Sequence, residues 1–253
     1  MQKFLLPSVV AALLVLLAAP SWSQDAPGGQ EMPVDLNAPG RQAEDVARDK
    51  WSKPLEVFTW LEVEPGDVIV DFHAGSGYNT WILSQWVGPE GVVYTESPDR
   101  YAEEIQTRLE SGDLKDAGNV VYVPGIEDLP DDGLDLFFIS RNYHDVPAEE
   151  IPAFLAEVRR TLKPGGIFAV IDARTPEGRD EEAHRIADAV IIEETTAAGL
   201  ELVESSELLA NPEDDHVGPQ WDRREQLDQS LLKFREPAAE TEPAGDSPDP
   251  TGR

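Results

Sequence analysis

The strongest constraint on this chain is a repeating order in its middle: a short apolar run, a turn, then a segment of helical period. The apolar runs fall at residues 68–72, 92–95, 119–123, 134–139 and 167–171, with segments of helical period expected at 41–60, 79–87, 99–109, 148–162 and 180–198. Runs such as Val68-Ile69-Val70 are continuous and not alternating, the pattern of strands buried on both faces. Strand and helix in alternation specify a mainly parallel sheet covered on both sides. Two further β-like runs, 200–208 and 230–234, have no helix-length apolar pattern between them and are expected to pair antiparallel at one edge. The expected fold class is therefore α/β: a three-layer αβα sandwich on a seven-stranded, mostly parallel sheet with an antiparallel terminal strand.

The ends of the 253-residue chain differ from this middle. Lys3 precedes an apolar run from Phe4 to Ala19, and Ser21-Trp22-Ser23 offers small residues where a signal peptidase cuts. The run is shorter than the roughly 20 residues that cross a bilayer comfortably. Residues 1–23 are expected to be a signal peptide, 24–40 a flexible leader, 41–235 the folded domain and 236–253 a disordered acidic tail. The expected location is periplasmic or secreted. The chain has no cysteine, which removes disulfides, thiolate chemistry and a lipid anchor on that residue. Fifty acids against twenty bases give a formal charge of -30, which repels nucleic acid and anionic membranes; neither is expected as a partner.

Ligands of open α/β sheets bind beyond the carboxyl ends of the strands. After the first run the chain reads Asp71-Phe72-His73-Ala74-Gly75-Ser76-Gly77-Tyr78, where glycine permits a tight turn and close backbone approach. A plain strand-to-helix turn also uses glycine, so the motif alone leaves both readings open. Glu96 ends the second run about twenty residues further on, where an acid accepts hydrogen bonds from ribose hydroxyls. Its alternative is one more surface acid. Arg141-Asn142-Tyr143-His144-Asp145 follows the fourth run and should open onto the same crevice. His144, with an ordinary pKa near 6.5, either relays a proton there or caps and packs. His184 and His216 are secondary candidates. Asp214-Asp215-His216 lacks the ligand spacing of a dedicated metal site, and no metal is expected.

These features, with Leu162-Lys163-Pro164-Gly165-Gly166 before the fifth run, resemble class I S-adenosylmethionine-dependent methyltransferases, whose fold is Rossmann-like. Asn142-Tyr143-His144-Asp145, the segment from Ala210 to His216, and Leu231-Leu232-Lys233-Phe234-Arg235 look closest to a group of bacterial methyltransferases, often exported. The resemblance implies S-adenosylmethionine as cofactor and a small-molecule acceptor. It implies that Asp71 holds the methionine ammonium, that Gly75 and Gly77 pass beneath methionine and ribose, and that His73 is among the cofactor-binding residues. It further implies that Glu96 binds the ribose, that Ile126 and Glu127 lie near adenine, and that Asn142 sits beside the methionine. Two positions depart from the family pattern: His73 stands where glycine is usual, and Gly125 where an acid often faces adenine.

A sulfonium donor already carries a good leaving group, so the protein mainly aligns donor and acceptor and removes a proton. The expected catalytic residues are His144 as base, Asp145 orienting it and Tyr143 lining the acceptor side. Two other functions fit the sequence. One is an exported non-catalytic binding or scaffold domain on the same fold. The other is a nicotinamide-dependent oxidoreductase, disfavoured because the residue three after Gly77 is Thr80, which breaks G-x-G-x-x-G.

Overall fold

A computed structural model describes residues 34–238. The expected signal peptide lies outside the described residues, as does most of the expected acidic tail. No helix among the described residues is long and apolar enough to cross a membrane.

Seven strands form one sheet: β1 (Val68–Phe72), β2 (Val92–Thr95), β3 (Val120–Tyr122), β4 (Leu134–Ser140), β5 (Leu162–Ala173), β8 (Glu201–Ser205) and β9 (Gln229–Arg235). Their order is β3-β2-β1-β4-β5-β9-β8. The first five are parallel, and β9 runs antiparallel to both β5 and β8. Winding therefore reverses between β1 and β4, whose carboxyl ends lie side by side.

Side-chain alternation along the strands builds two cores. Ile69, Leu136, Phe138 and Ala169 join helices α2 (Pro54–Trp60), α3 (Tyr78–Val87) and α4 (Asp99–Ser111) on one face. Their neighbours Val70, Phe137, Ile139, Phe168 and Val170 meet α5 (Ile151–Thr161) and α6 (Asp188–Ala197) on the other. The three-layer α/β sandwich with its antiparallel terminal strand is the architecture that the pattern specified.

Four expectations need correction. The segment 41–60 is two helices, α1 (Ala43–Ser52) and α2, because Pro54 starts the second and Lys53 before it takes φ 45°. The expected helix 180–198 begins only at Asp188. Ahead of it stands a hairpin of β6 (Arg179–Asp180) and β7 (Arg185–Ile186), where the Asp180 carboxylate accepts the Ala183 amide at 2.8 Å and diverts the backbone from a helix. The leader is not loose throughout: Val34 is buried in the first core and Arg41 donates to the Leu36 carbonyl at 2.6 Å. At the other boundary Glu236 belongs to the domain, paired with Arg159 at 2.7 Å.

Candidate active site

A cavity of about 830 Å³ opens beyond the carboxyl ends of β1 and β4. The turn after β1 forms its floor. Gly75, at φ 59°, lines it, and nothing stands within 4 Å of where a side chain would begin, so a ligand can approach the backbone closely. Gly77 has a different task. It caps α3 at φ 89°, does not line the cavity, and a Cβ there would lie 2.3 Å from Ile105 Cδ1 of α4. The expectation that Gly77 passes beneath the cofactor is thus replaced by close helix packing. Gly77→Val should cost about 1–3 kcal/mol in urea unfolding, from overpacking added to a left-handed backbone. Gly75→Ala, strained but unobstructed, should cost less; equal losses would contradict this division.

Asp71 ends β1 fully buried, with Oδ2 accepting from Thr80 Oγ1 at 2.7 Å, and lines the cavity. Burial raises its pKa to about 6, against the lowering pull of Thr80 and Arg48. Below the turn, Arg108 is 2% exposed and donates to the Ser76 carbonyl at 2.8 Å while pairing with Asp45 and Asp113. Asn142 ties the two strand ends together, donating to the carbonyls of His73 at 3.2 Å and Ser140 at 2.8 Å.

The departure at His73 has a visible consequence. Its φ is 55°, its ring stacks on Phe72 at 4.5 Å, and its amide donates to Glu96 Oε2 at 3.0 Å. Glu96 is therefore buried beneath His73 and not presented to the cavity, which it does not line. Burial, with the charges of Asp71, Asp99 and Glu127, raises Glu96 to about 7, although the His73 amide opposes this. Burial lowers His73 to about 4, so it is neutral at ordinary pH. Ile126 and Glu127 lie in a short 3-10 turn after β3 and do not reach the cavity wall.

The turn after β4 separates Tyr143 from the other two expected catalytic residues. Tyr143 is wholly buried among Phe154 and Phe168 and donates to Glu194 at 2.9 Å; it does not line the acceptor side, because its ring completes the second core. His144 stands behind the cavity wall. Its Nδ1 meets Asp172 Oδ1 at 2.7 Å, and its Nε2 faces Asp145, His184 and Gln220. Burial lowers its pKa, but Asp172 and Asp145 outweigh that and raise it to about 9. His144 does not itself line the cavity, so the base role expected of it is not supported. Asp145 and His184 do line the cavity. Burial raises Asp145, yet the two histidines bring it down to about 2. His216 pairs with Asp228 at 3.0 Å away from the cavity, and Asp214 with Arg185 at 2.9 Å.

Arginine gathers in the cavity of this very acidic chain. Arg48, Arg100, Arg141 and Arg224 line it, and no carboxylate lies within ion-pair distance of any of them among the described residues. Arg48 stacks over Tyr78 at 4.0 Å, and Arg141 over Trp51 at 5.3 Å. Burial, then repulsion from Arg48 and Arg224, lowers Arg141 well below its ordinary value.

Residues 69–166 match the family described as Methyltransferase domain. The chain is similar in structure to a SAM dependent methyltransferase from Aquifex aeolicus, with a TM-score of 0.59 and 20% identity over 75% of this chain and 93% of that one. The fold is the Rossmann-like methyltransferase fold. In sequence, the chain is 30% identical over 137 residues to a demethylmenaquinone methyltransferase from Symbiobacterium thermophilum, 52% of this chain and 51% of that protein. It is 29% identical over 123 residues to a 2-phytyl-1,4-naphtoquinone methyltransferase from Synechococcus elongatus, 46% of this chain and 50% of that one. The chain thus spans about half the length of the curated relatives it matches.

Within this methyltransferase fold, sequence reasoning brought Arg141 to the crevice but missed Arg48, Arg100 and Arg224, which lie in separate segments of the chain, and Asp172. Asp172 had a signal. An acid closing the apolar run Ala169-Val170-Ile171 repeats the pattern that singled out Asp71 at the end of β1.

Proposed function

We propose that this chain is an S-adenosylmethionine-dependent methyltransferase acting on a small acceptor. The observation that carries the reading is the meeting, in one cavity at the switch point of the sheet, of a buried carboxylate with guanidiniums that no described carboxylate pairs. Asp71 beside Arg48 and Arg141 complements a zwitterionic amino acid: Asp71 for the ammonium, the arginines for the carboxylate. Gly75 leaves the floor open for close approach. The residues therefore fit the methionine end of the cofactor, which when bound supplies a methyl group on sulfur with its leaving group in place. At the ribose end Glu96 keeps one oxygen, Oε1, that accepts no hydrogen bond among the described residues, while its other oxygen holds His73. His73 narrows this end of the crevice, and its ring at 3.8 Å from Glu96 closes over the acid. The small-molecule acceptor follows the quinone methyltransferases to which the chain is similar.

Calorimetric titration with S-adenosylhomocysteine should give one site. His73 covers Glu96 in the unliganded chain, so ribose contact requires the His73 ring to swing aside; Glu96→Ala should then weaken binding by about 1–3 kcal/mol, the loss of charge-assisted hydrogen bonds to hydroxyls. Unchanged affinity would remove Glu96 from the site. No saturable heat in the unaltered protein would leave a non-catalytic domain on a methyltransferase fold. The pH dependence has a fixed sign. Glu96, raised to about 7, is protonated in mildly acidic solution and accepts hydroxyl donors best when ionised. Affinity should rise from about pH 6 to about pH 8, and Glu96→Gln should lose the part of that rise centred near 7.

A further inference from the structure

Three donor atoms from two separate segments meet at the cavity wall: His144 Nε2, Asp145 Oδ1 and His184 Nδ1. They form a closed triangle with sides of 3.2 Å between the histidines, 2.8 Å from His184 to Asp145 and 3.2 Å from His144 to Asp145. The short 3-10 turn Tyr143–Asp145 lets neighbouring residues point the same way, and the hairpin carries His184 to them at φ 53°.

Protons cannot make all three sides of this triangle hydrogen bonds at once. An ionised Asp145 only accepts, so both of its contacts require the histidine nitrogens to donate. Both N–H groups then aim at one Asp145 oxygen, and the 3.2 Å approach of the two histidine nitrogens carries no hydrogen bond. If His184 Nδ1 instead accepts from His144, its 2.8 Å contact with Asp145 sets two acceptors together. One side fails under either assignment, whereas a cation at the centre satisfies all three. The dimensions agree: donors about 2.0–2.2 Å from an ion stand roughly 2.8–3.6 Å apart in octahedral or tetrahedral arrangement. The support around the triangle agrees as well. Asp172, completely buried, meets His144 Nδ1 at 2.7 Å, the carboxylate–histidine arrangement that fixes the tautomer and turns the Nε2 lone pair toward a metal.

We propose that His144, Asp145 and His184 bind a divalent transition-metal ion at the wall of the cavity. Two nitrogens and one carboxylate oxygen suit Zn²⁺, Co²⁺, Fe²⁺ or Ni²⁺ better than Mg²⁺ or Ca²⁺. His144 is the rear ligand, 2% exposed in its side chain, while Asp145 and His184 line the cavity, so the free coordination positions face inward. An acceptor hydroxyl there would lose its proton to solvent more readily, and its oxygen would bond the sulfonium methyl as the S–CH3 bond breaks and S-adenosylhomocysteine leaves. That role rests on the methyltransferase reading; binding of the metal does not.

The test uses the full chain, stripped with a chelator, dialysed, and titrated with Co²⁺ in excess Mg²⁺, without any adenosyl ligand. Visible Co²⁺ absorption should saturate at one equivalent, and Zn²⁺ should displace it. Asp172→Asn should weaken binding by about 10- to 100-fold. His184→Ala and Asp145→Asn should weaken it further, and His216→Ala, outside the cluster, should leave it unaltered. Thermal melts on each variant separate a missing ligand from a missing fold, and Asp145→Asn, at a half-exposed position, keeps the test open if His184→Ala melts early. Absence of saturable absorption, or wild-type affinity in the folded ligand variants, would overturn the proposal. A parallel titration of metal-free protein with S-adenosylhomocysteine reports on the methyltransferase reading separately.

Discussion

Arg185→Ala should lower the unfolding free energy by about 3–5 kcal/mol, the cost of leaving one charge of a buried pair without its partner. Both side chains of the Arg185–Asp214 pair are 1% exposed. Arg185 donates to Asp214 through two nitrogens, at 2.9 and 3.3 Å, and also to the carbonyls of Arg174 and Gly218. One guanidinium thereby joins the end of β5, the hairpin bearing His184 and the segment before β9. For a domain of this size the melting temperature should fall by roughly 6–20 °C. Asp214 adds a pH signature. Burial raises its pKa, but Arg185 and the amides of Asp228 and His216 hold it below the ordinary 3.8. A depressed carboxylate stabilises the fold above its ordinary pKa and loses that contribution as pH falls through its folded value, so the pair is intact at neutral pH and weakens in acid. Replacing both partners by apolar residues, as in Arg185→Met with Asp214→Leu, should recover much of the loss. A single variant within about 1 kcal/mol of the parent would mean that the pair does not fasten these segments.

The strands were readable because buried parallel strands leave continuous apolar runs, and those runs are where β1, β2, β4 and β5 lie. Local chemistry overrode helical period in the stretch before Asp188. There the Asp180 side chain captures a backbone amide, and Arg185, polar in the sequence, is among the most buried residues because Asp214 meets it from 29 positions away. Period alone cannot register a partner so distant. The site divides in the same manner. Asp71 and Gly75 announce themselves, since strand, acid and glycine stand in sequence. Glu96 was correctly placed at a strand end, yet its orientation depends on His73, whose left-handed backbone turns its amide onto the acid. Tyr143 and His144 sit one residue apart in a 3-10 turn, and that turn sends one ring into the core and the other toward Asp172. No spacing rule distinguishes them beforehand.

The guanidiniums in the cavity set stability against binding. Arg48 and Arg141 are held near each other and near Arg224 without ion-pair partners among the described residues, and burial with mutual repulsion disfavours their charged forms. Such an arrangement costs folding free energy, and a bound carboxylate relieves it. Arg48→Ala combined with Arg141→Ala should therefore weaken S-adenosylhomocysteine by more than about 100-fold, since each charge-assisted hydrogen bond to the carboxylate is worth about 1.5–3 kcal/mol. The same change should leave the unliganded melting temperature equal to or above that of the parent, because it removes repulsion between buried like charges. Adding the ligand should then stabilise the parent and hardly move the double variant, since stabilisation follows occupancy. Raising salt should weaken binding to the parent less than it would at an exposed cluster, as these charges lie partly enclosed. A double variant that melts early and still binds would reverse the assignment: the arginines would then be props of the fold, and the anion would bind elsewhere in the crevice.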